Sequence, residues 1–302
     1  MIPVQFNYKA PDNLEAATKL LSENQGAQVL AGGHSLIAAI KSGKISPPLL
    51  VDLKKIKSLE GIKQEEKGFL KVGAMTAYDK VASTSEIREN YSALAEAANN
   101  IGDAQIRNWE RIGNIFAYSD LACDVQAVAL VLEANFNSVS TSGNHTIVAD
   151  EFIALGFQRE WKLNEIITSL DFPEPTPGSS SAYECIKHPA SSYAVCGVAA
   201  SITIKENNII SKCRVAVTGA TSYAIRLPQV ETAMEGKIPT IENIAVGAKL
   251  AKENVLETSK THEELNIMSD VYASAEYRTH LIGVLTQQVL VRATKQAKLS
   301  FG

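Results

Sequence analysis

The chain has 302 residues and a formal net charge of −4, with 29 basic and 33 acidic residues spread along it. This length exceeds what one hydrophobic core usually supports, so we expect two or three compact parts with room for a large cofactor. A composition that is 45% hydrophobic and 21% charged excludes a disordered or fibrous chain. The absence of a basic cluster argues against nucleic acid or anionic lipid as a partner.

The N-terminal segment has no basic region followed by an apolar run, and no apolar stretch approaches the roughly 20 residues that span a bilayer. We therefore expect a cytoplasmic protein without a membrane span. The four cysteines are scattered, without a C-x-x-C pair or a histidine at metal-ligand spacing: Cys123, Cys185, Cys196 and Cys213. They predict free thiols and no zinc or iron–sulfur site on this chain.

The first predicted element is an amphipathic helix whose apolar face contains Leu14, Ala17, Leu20 and Leu21. Asp12 is placed to cap this helix, with Glu15 three residues further on, and the helix is expected to end at Asn24–Gly26. Ala27–Ala31 and Leu49–Leu53 have the composition of strands. Residues 1–55 are therefore predicted to form a small α/β subdomain.

The middle part of the chain, residues 56–172, mixes strand and helix patterns. Phe69–Gly73 is predicted to be a strand, and Thr76 is placed to cap a helix over Ala77–Ala82. Ser92–Ile101 is rich in Ala and Leu and predicts a second helix. Asp124–Ala134 is more apolar still and predicts a buried helix.

The stretch Pro173–Ser181 is rich in Pro, Gly and Ser, which marks a domain boundary or an exposed loop. Residues 173–302 are accordingly predicted to form a separate C-terminal domain. Within it, residues 198–205 and 213–218 resemble strands, whereas residues 242–254 and 273–298 have helical periodicity. These patterns predict an α+β fold.

The most informative local feature is the glycine loop, Ala31-Gly32-Gly33-His34-Ser35-Leu36, between a predicted strand and a short helical stretch. Glycines let backbone N–H groups approach an anion closely, so a pyrophosphate fits such a loop. A plain turn would carry the same residues. The spacing differs from G-x-G-x-x-G, which excludes a Rossmann fingerprint.

This loop, followed by Leu50-Val51-Asp52-Leu53 and Val72-Gly73-Ala74-Met75-Thr76, closely resembles the FAD-binding medium subunit of the xanthine dehydrogenase and carbon monoxide dehydrogenase family. The resemblance covers essentially the whole chain. Further matches, in order, are Gln105–Asn108, Ile112-Gly113, Ala122–Asp124, Asn164–Ile167, Ala182–Glu184, Tyr193-Ala194 and Ala275–Arg278.

The resemblance implies an α+β fold with a two-part FAD-binding domain of the vanillyl-alcohol oxidase (PCMH) type and a C-terminal α/β domain of the CO dehydrogenase flavoprotein type. It implies subdomains at 1–55 and 56–172 and a C-terminal domain at 173–302. FAD is the implied cofactor, bound non-covalently. The molybdenum cofactor and iron–sulfur clusters are expected only on a large and a small partner subunit.

The residues that the resemblance implies for FAD binding are Ala31, Gly32, Gly33, His34, Ser35, Leu36, Thr76, Ile112, Gly113, Asn114, Asp124, Ile167, Lys187 and Tyr193. Several have a plain structural alternative. Thr76 and Asp124 are each suited to cap a helix. Tyr193 is implied beside the isoalloxazine ring and Lys187 near it, but a packed tyrosine and a solvated lysine would fit the sequence equally well.

The second loop departs from the family pattern, which reads approximately R-N-x-G-T-I-G-G-x-I-A-H-A-D-P. Here Glu110 replaces a glycine, Arg111 replaces the threonine and Asn114 replaces the second glycine. A Cβ restricts positive φ, and loss of the threonine hydroxyl removes a phosphate donor. Either Arg111 offers a guanidinium group to the phosphates, or Glu110 repels them.

The implied function is electron transfer. The chain is expected to receive electrons from iron–sulfur clusters of a partner subunit and to pass them through FAD to an acceptor such as NAD, a quinone or oxygen. Two alternatives remain open: a non-catalytic scaffold whose altered second loop no longer binds FAD, and a stand-alone flavin oxidase of the same fold.

Overall fold

The structure is a computed structural model that describes residues 5–66, 68–116, 123–157 and 165–299. Its strands are β1 (Asn7–Lys9), β2 (Gln28–Leu30), β3 (Leu49–Asp52), β4 (Ile62–Glu65), β5 (Phe69–Gly73), β6 (Asn135–Ser140), β7 (Gly143–Val148), β8 (Ile166–Pro173), β9 (Ser179–Lys187), β10 (Ala194–Ile204), β11 (Ile210–Thr218) and β12 (Ile225–Arg226).

The α-helices are α1 (Leu14–Glu23), α2 (His34–Lys41), α3 (Tyr78–Ser83), α4 (Ser85–Asn90), α5 (Ser92–Asn100), α6 (Ala104–Trp109), α7 (Asp124–Val131), α8 (Ala149–Phe157), α9 (Pro228–Met234), α10 (Ile241–Thr261) and α11 (Ala275–Leu299). Short 3-10 helices lie at Leu53–Lys55, Lys57–Leu59 and Ile112–Phe116. Among the described residues, no helix combines the length and apolar character needed to cross a membrane.

The chain forms two compact units whose segments alternate along the sequence. The first unit consists of Met1–Lys80, Ala104–Asp120 and Ala134–Pro173, and the second of Val81–Asp103, Leu121–Glu133 and Glu174–Gly302. The boundaries drawn from the sequence after residues 55 and 172 stay a prediction.

The first unit contains a small parallel sheet with the strand order β1-β3-β2. The four residues of β3 are all buried, and Val51 lies with Ala17 and Leu21 of α1 in one apolar cluster. Helix α1 is amphipathic as predicted, but the Asp12 cap was wrong. Asn13 caps it, because its extended backbone lets the side-chain oxygen accept the Ala16 N–H at 2.8 Å.

The first unit also contains a five-stranded antiparallel sheet with the order β4-β5-β8-β6-β7. Strand β5 confirms the predicted strand at Phe69–Gly73. Helix α8 packs on this sheet through Phe152, whose ring stacks on that of Phe136 in β6 with centroids 4.1 Å apart. This stacking buries both rings and fixes the helix on the sheet.

The second unit is built on an antiparallel sheet with the order β12-β11-β10-β9. Apolar residues of β10 and β11 form one buried cluster with residues of α9, α10 and α11. Helix α7 also belongs to this unit, and all eight of its residues are buried. The buried helix predicted from its apolar run is therefore confirmed.

The predicted exposed loop over Pro173–Ser181 was too long. Strand β8 continues to Pro173, which pairs with Phe69, and β9 already begins at Ser179. Ser181 is buried, and its hydroxyl accepts the Ala93 N–H at 3.2 Å. The serine-rich composition concealed this strand because these hydroxyls find partners inside the protein.

Candidate functional site

The glycine loop follows β2 and turns directly into α2. Gly32 and Gly33 have φ angles of +72° and +92°, and the Gly33 N–H donates to the Ala31 carbonyl at 2.8 Å. Gly33 is the N-cap residue of α2, and no side chain caps this helix. The first-turn N–H groups of an α-helix have no partner within the helix, so this end of α2 is suited to an anion.

The residues that follow Gly33 divide between solvent and the core. His34 is exposed, Ser35 is half-buried and Leu36 is buried. Leu36 lies in a small apolar cluster with Ile40 and Leu50, which holds α2 against β3. Packing of Leu36 therefore fixes where the N-terminus of α2 lies.

The second loop packs directly on the glycine loop. The Asn114 side-chain amide donates to the Ala31 carbonyl, with 2.9 Å between Nδ2 and O. A Cβ built at Gly32 would lie 2.3 Å from the Trp109 carbonyl oxygen, so no larger residue fits there without movement. The structure thus brings together the two segments that the resemblance implied, and Asn114 joins them.

A backbone ladder holds the second loop in place. The Ile112 N–H donates to the Thr76 carbonyl at 3.0 Å, and the Gly113 N–H donates to the Ala74 carbonyl at 2.9 Å. A Cβ at Gly113 would approach the Ala74 Cβ to 2.7 Å, so this glycine permits the close approach of two backbones. Ile112 is fully buried and anchors the segment.

Thr76 acts through these backbone contacts rather than as a helix cap. Its side chain is fully buried, accepts the Gly61 N–H at 2.9 Å and donates to the Gly61 carbonyl at 3.1 Å. The capping interpretation was therefore wrong, because the hydroxyl is engaged by the turn before β4. The FAD contact implied for Thr76 stays a prediction.

Arg111 lies against the glycine loop. Its Cγ is 3.6 Å from a Cβ built at Gly32, and its Nε is buried without a hydrogen-bond partner in the described part of the chain. Arg111 also pairs with Ala77 in an isolated antiparallel bridge, which fixes its backbone. A buried cationic donor beside an uncapped helix N-terminus is suited to a phosphate oxygen.

Ile167 lies on β8 opposite Ser138 and is half-buried. The next residue, Thr168, accepts the Ala74 N–H at 2.9 Å, so β8 runs beside the backbone ladder. Residues 117–122 of the second-loop motif and Asn164 of the Asn164–Ile167 motif lie outside the described residues.

The remaining predicted site residues belong to the second unit. Asp124 is the first residue of α7, and Cys123 is its N-cap residue, so the capping interpretation of Asp124 was wrong. The Asp124 carboxylate instead accepts a short hydrogen bond from the Tyr183 hydroxyl. Burial raises the pKa of Asp124 to about 6, although the Tyr183 hydrogen bond and the charge of Lys187 partly oppose this.

Lys187 and Tyr193 lie at facing ends of neighbouring strands. Lys187 ends β9 opposite Ala194, which begins β10, and Tyr193 directly precedes β10. Tyr193 is 40% exposed, so it is not buried in the core of the second unit. Cys185, on the same strand as Lys187, has a pKa raised to about 12, chiefly by burial, which keeps this thiol protonated.

The sequence did not predict the cluster of buried hydrogen bonds around Arg278. Arg278 is only 5% exposed, and its guanidinium donates to the carbonyls of Val195 and Gly219 at 2.7 and 2.8 Å. It also donates to the Asp270 carboxylate at 2.5 Å. The motif Ala275–Arg278 carried a signal of this anchor, but its acceptors are backbone atoms that a sequence does not reveal.

Comparison with known proteins gives the class to which these features belong. A family profile described as the FAD binding domain in molybdopterin dehydrogenase matches residues 4–175, and the profile of the CO dehydrogenase flavoprotein C-terminal domain matches residues 181–293. The chain belongs to this family of FAD-binding oxidoreductase subunits. The resemblance, the two-part α+β architecture and FAD as the cofactor are thereby confirmed.

Individual relatives match along almost their full length. The chain is 30% identical over 291 residues to the carbon monoxide dehydrogenase medium chain of Hydrogenophaga pseudoflava, covering 96% of this chain and 97% of that one. It is 29% identical to the 6-hydroxypseudooxynicotine dehydrogenase complex subunit alpha of Paenarthrobacter nicotinovorans, covering 99% and 97%. A solved carbon monoxide dehydrogenase from H. pseudoflava superposes with a TM-score of 0.86, covering 98% and 99% at 30% identity.

Proposed function

We propose that this chain is the electron-transfer subunit of a heteromeric molybdenum hydroxylase. It receives electrons from iron–sulfur clusters on a small partner subunit and passes them through non-covalently bound FAD to an external acceptor. A large partner subunit carries the molybdenum cofactor and oxidises the organic substrate. FAD supplies the redox chemistry when bound, and the protein supplies its position and electrostatics.

The observation that carries this proposal is the joining of the two loops in the first unit. Gly32 and Gly33 adopt positive φ, α2 presents an uncapped N-terminus, and the Asn114 amide holds the Ala31 carbonyl. This arrangement fits a pyrophosphate, since the first-turn N–H groups of α2 have no partner within the helix and the Asn114 amide holds the glycine loop before them. The buried Nε of Arg111, which lacks a partner among the described residues, fits the same charge.

Partner subunits are supported by the names of the relatives. Those relatives include medium chains, a complex subunit and a nicotinate dehydrogenase FAD-subunit, each matched along most of its length. The proposed electron donors are iron–sulfur clusters. Within the described residues, no group of three or more His, Cys, Asp or Glu side chains is placed to hold a metal ion. The cytoplasmic location and the roles of Asp124, Ile167, Lys187 and Tyr193 toward FAD stay predictions.

The test is to purify the native complex by a tag on this chain and to measure flavin, iron and molybdenum in one size-exclusion peak. We expect FAD, iron and molybdenum to elute together at a mass well above 32.5 kDa, which is the mass of this chain alone. Acid precipitation should release the flavin into the supernatant. Flavin that stays in the pellet would contradict non-covalent binding.

The two alternative functions give different results in the same experiment. A scaffold subunit would elute with iron and molybdenum but without flavin, even after incubation with FAD. A stand-alone oxidase would contain flavin without either metal and would reduce its flavin directly with an organic substrate. Either outcome would refute electron transfer between a metal-containing partner and this chain.

A further inference from the structure

The strongest unexplained group in the first unit is the guanidinium of Arg111. Its backbone is fixed, because the Ala77 bridge is flanked by hydrogen bonds from Tyr78 N–H to the Glu110 carbonyl at 3.4 Å and from Ile112 N–H to the Thr76 carbonyl at 3.0 Å. The Arg111 side chain therefore starts from a fixed backbone position in the second loop.

From that point the Arg111 side chain runs over the glycine loop. Its Cγ lies 3.6 Å from a Cβ built at Gly32, which is ordinary van der Waals distance. The same built Cβ would lie 2.3 Å from the Trp109 carbonyl oxygen, so two residues of the second loop, Trp109 and Arg111, lie next to Gly32. Arg111 is thus adjacent to the glycine loop, in which Gly32 and Gly33 have positive φ and which leads into the N-terminus of α2.

Arg111 also differs from a structural arginine in its hydrogen bonding. Its Nε is buried and has no partner among the residues that the structure describes. A buried donor without an acceptor is unfavourable, and a cationic one more so, unless an anion completes the site. The uncapped N-terminus of α2 adds partial positive charge to the same surroundings.

We propose that Arg111 is a binding residue for the diphosphate of FAD and that it replaces the threonine and glycine lost from the second loop. This inference rests on the proposed function and deepens it. A guanidinium donates to phosphate oxygens through several N–H groups. These donors compensate for the threonine hydroxyl, and for the backbone N–H groups beside the glycines, that relatives have in the second loop. The altered second loop then binds the same diphosphate through an arginine side chain.

The experiment uses the full chain freed of flavin and measures the affinity for FAD and for riboflavin, which lacks phosphate, by quenching of flavin fluorescence. We expect Arg111→Met to weaken FAD binding roughly 10- to 100-fold while riboflavin binding changes less than about 3-fold. Arg111→Lys should recover part of the FAD affinity, since it keeps the charge but not the fork of donors.

One variant controls for charge in general. Lys41→Ala removes an exposed cation at the far end of α2, roughly 10 Å away along the helix. It should leave the ratio of FAD to riboflavin affinity within about 3-fold of the unmodified chain. The FAD affinity of Arg111→Met should also depend less on salt, because one screened contact is gone.

Equal loss of FAD and riboflavin affinity in Arg111→Met, or no loss of either, would overturn the proposal. Equal loss would mean that Arg111 only maintains the fold of the loop. In that case the ratio of FAD to riboflavin affinity would be the same in Arg111→Met and Arg111→Lys. Failure of flavin binding, on which the proposed function rests, is distinguishable, since the unmodified chain would then bind neither FAD nor riboflavin. A stand-alone oxidase is recognised by the metal content of the native complex and leaves the test of Arg111 unchanged.

Discussion

Two arginines, one in each unit, show how differently the same side chain is used. Arg278 in the second unit donates from all three guanidinium nitrogens, to the carbonyls of Ala273, Val195 and Gly219 and to the Asp270 carboxylate. Arg111 in the first unit has a buried Nε for which the described residues offer no acceptor. The guanidinium of Arg278 thus has acceptors for all three nitrogens, whereas the Nε of Arg111 has none among the described residues.

The same contrast extends to the surroundings of each arginine. The second unit contains matched groups, such as Glu231, which accepts from Arg226 through both carboxylate oxygens and is 5% exposed. Next to Arg111, two adjacent glycines at positive φ, Gly32 and Gly33, lead into α2, whose N-terminus has no side-chain cap. Buried polar groups that are hydrogen-bonded within the protein stabilise the fold. Substitution of Arg278 should therefore change stability, and substitutions in the glycine loop should change flavin binding.

The largest expected effect is the loss of stability in Arg278→Ala. Removing this guanidinium leaves two buried carbonyls without a donor and Asp270 without its cation, so we expect a loss of about 3 kcal/mol in the free energy of unfolding. Denaturant unfolding of the flavin-free chain measures this loss. Arg88→Ala, which removes an exposed arginine of α4, is the control and should change stability by less than about 0.5 kcal/mol.

A loss below about 1 kcal/mol in Arg278→Ala would show that the carbonyls of Val195 and Gly219 find other donors. Arg278 would then contribute less to stability than its contrast with Arg111 requires. The ratio of FAD to riboflavin affinity should stay unchanged in this variant, because Arg278 acts on folding alone.

The second effect, of about 2 kcal/mol, is expected for Gly32→Ala. Alanine at a φ of +72° is strained, and its Cβ would also meet the Trp109 carbonyl. Gly236→Ala is a matched control, since Gly236 has a φ of +79° but nothing within 4 Å of a built Cβ. FAD affinity should fall at least roughly 10-fold in Gly32→Ala and remain unchanged in Gly236→Ala. Similar destabilisation by both substitutions would show that the Trp109 contact yields easily.

The third effect is a pH dependence of stability that arises from the buried carboxyl of Asp124. Its pKa is raised from 3.8 to about 6 on folding, chiefly by burial. Below pH 4 the proton is bound in both states, and the contribution is fully present. As pH rises from 4 to 6, the unfolded chain loses this proton while the buried carboxyl of the folded chain keeps it, so stability falls, and the fall ends once the folded carboxyl also ionises.

Asp124→Asn removes this titration while keeping an acceptor for the Tyr183 hydroxyl. The variant should therefore become more stable relative to the unmodified chain as pH rises from 4 to 7. Glu96, whose pKa is also raised chiefly by burial, remains in both proteins and cancels in the difference. A difference that does not change with pH would mean that Asp124 is already ionised in the folded chain at pH 4.

The sequence predicted those features that depend on local pattern. The apolar run after Asp124 predicted a buried helix, and Gly32 and Gly33 after a strand predicted a turn, in which both glycines have positive φ. Local pattern was less reliable at helix starts, where Asn13 caps α1 instead of Asp12 because both residues are good caps. Helix boundaries shift by a residue without any change in the pattern of apolar positions.

Contacts between distant residues lay beyond prediction. The Asn114 amide meets the Ala31 carbonyl across 83 residues, and the Tyr183 hydroxyl meets Asp124 across 59. Such pairs depend on how strands and helices pack, which no motif encodes. The resemblance to a flavoprotein family did imply that the two loops meet, but the role it implied for Asn114 was FAD binding and not a hydrogen bond to the glycine loop, because relatives have a glycine at that position.

The smallest effect tests that role directly. Asn114→Ala removes one partly buried hydrogen bond between the loops, with 2.9 Å between Nδ2 and the Ala31 oxygen, so we expect a loss of about 1 kcal/mol in stability. The Ala31 carbonyl still accepts the Gly33 N–H, which limits the loss. FAD affinity should fall by roughly 3- to 10-fold, because the loops are less well preorganised. Asn144→Ala, an exposed position on β7, is the control. Unchanged FAD affinity in Asn114→Ala would mean that the backbone ladder through Ile112 and Gly113 alone holds the second loop in its binding position.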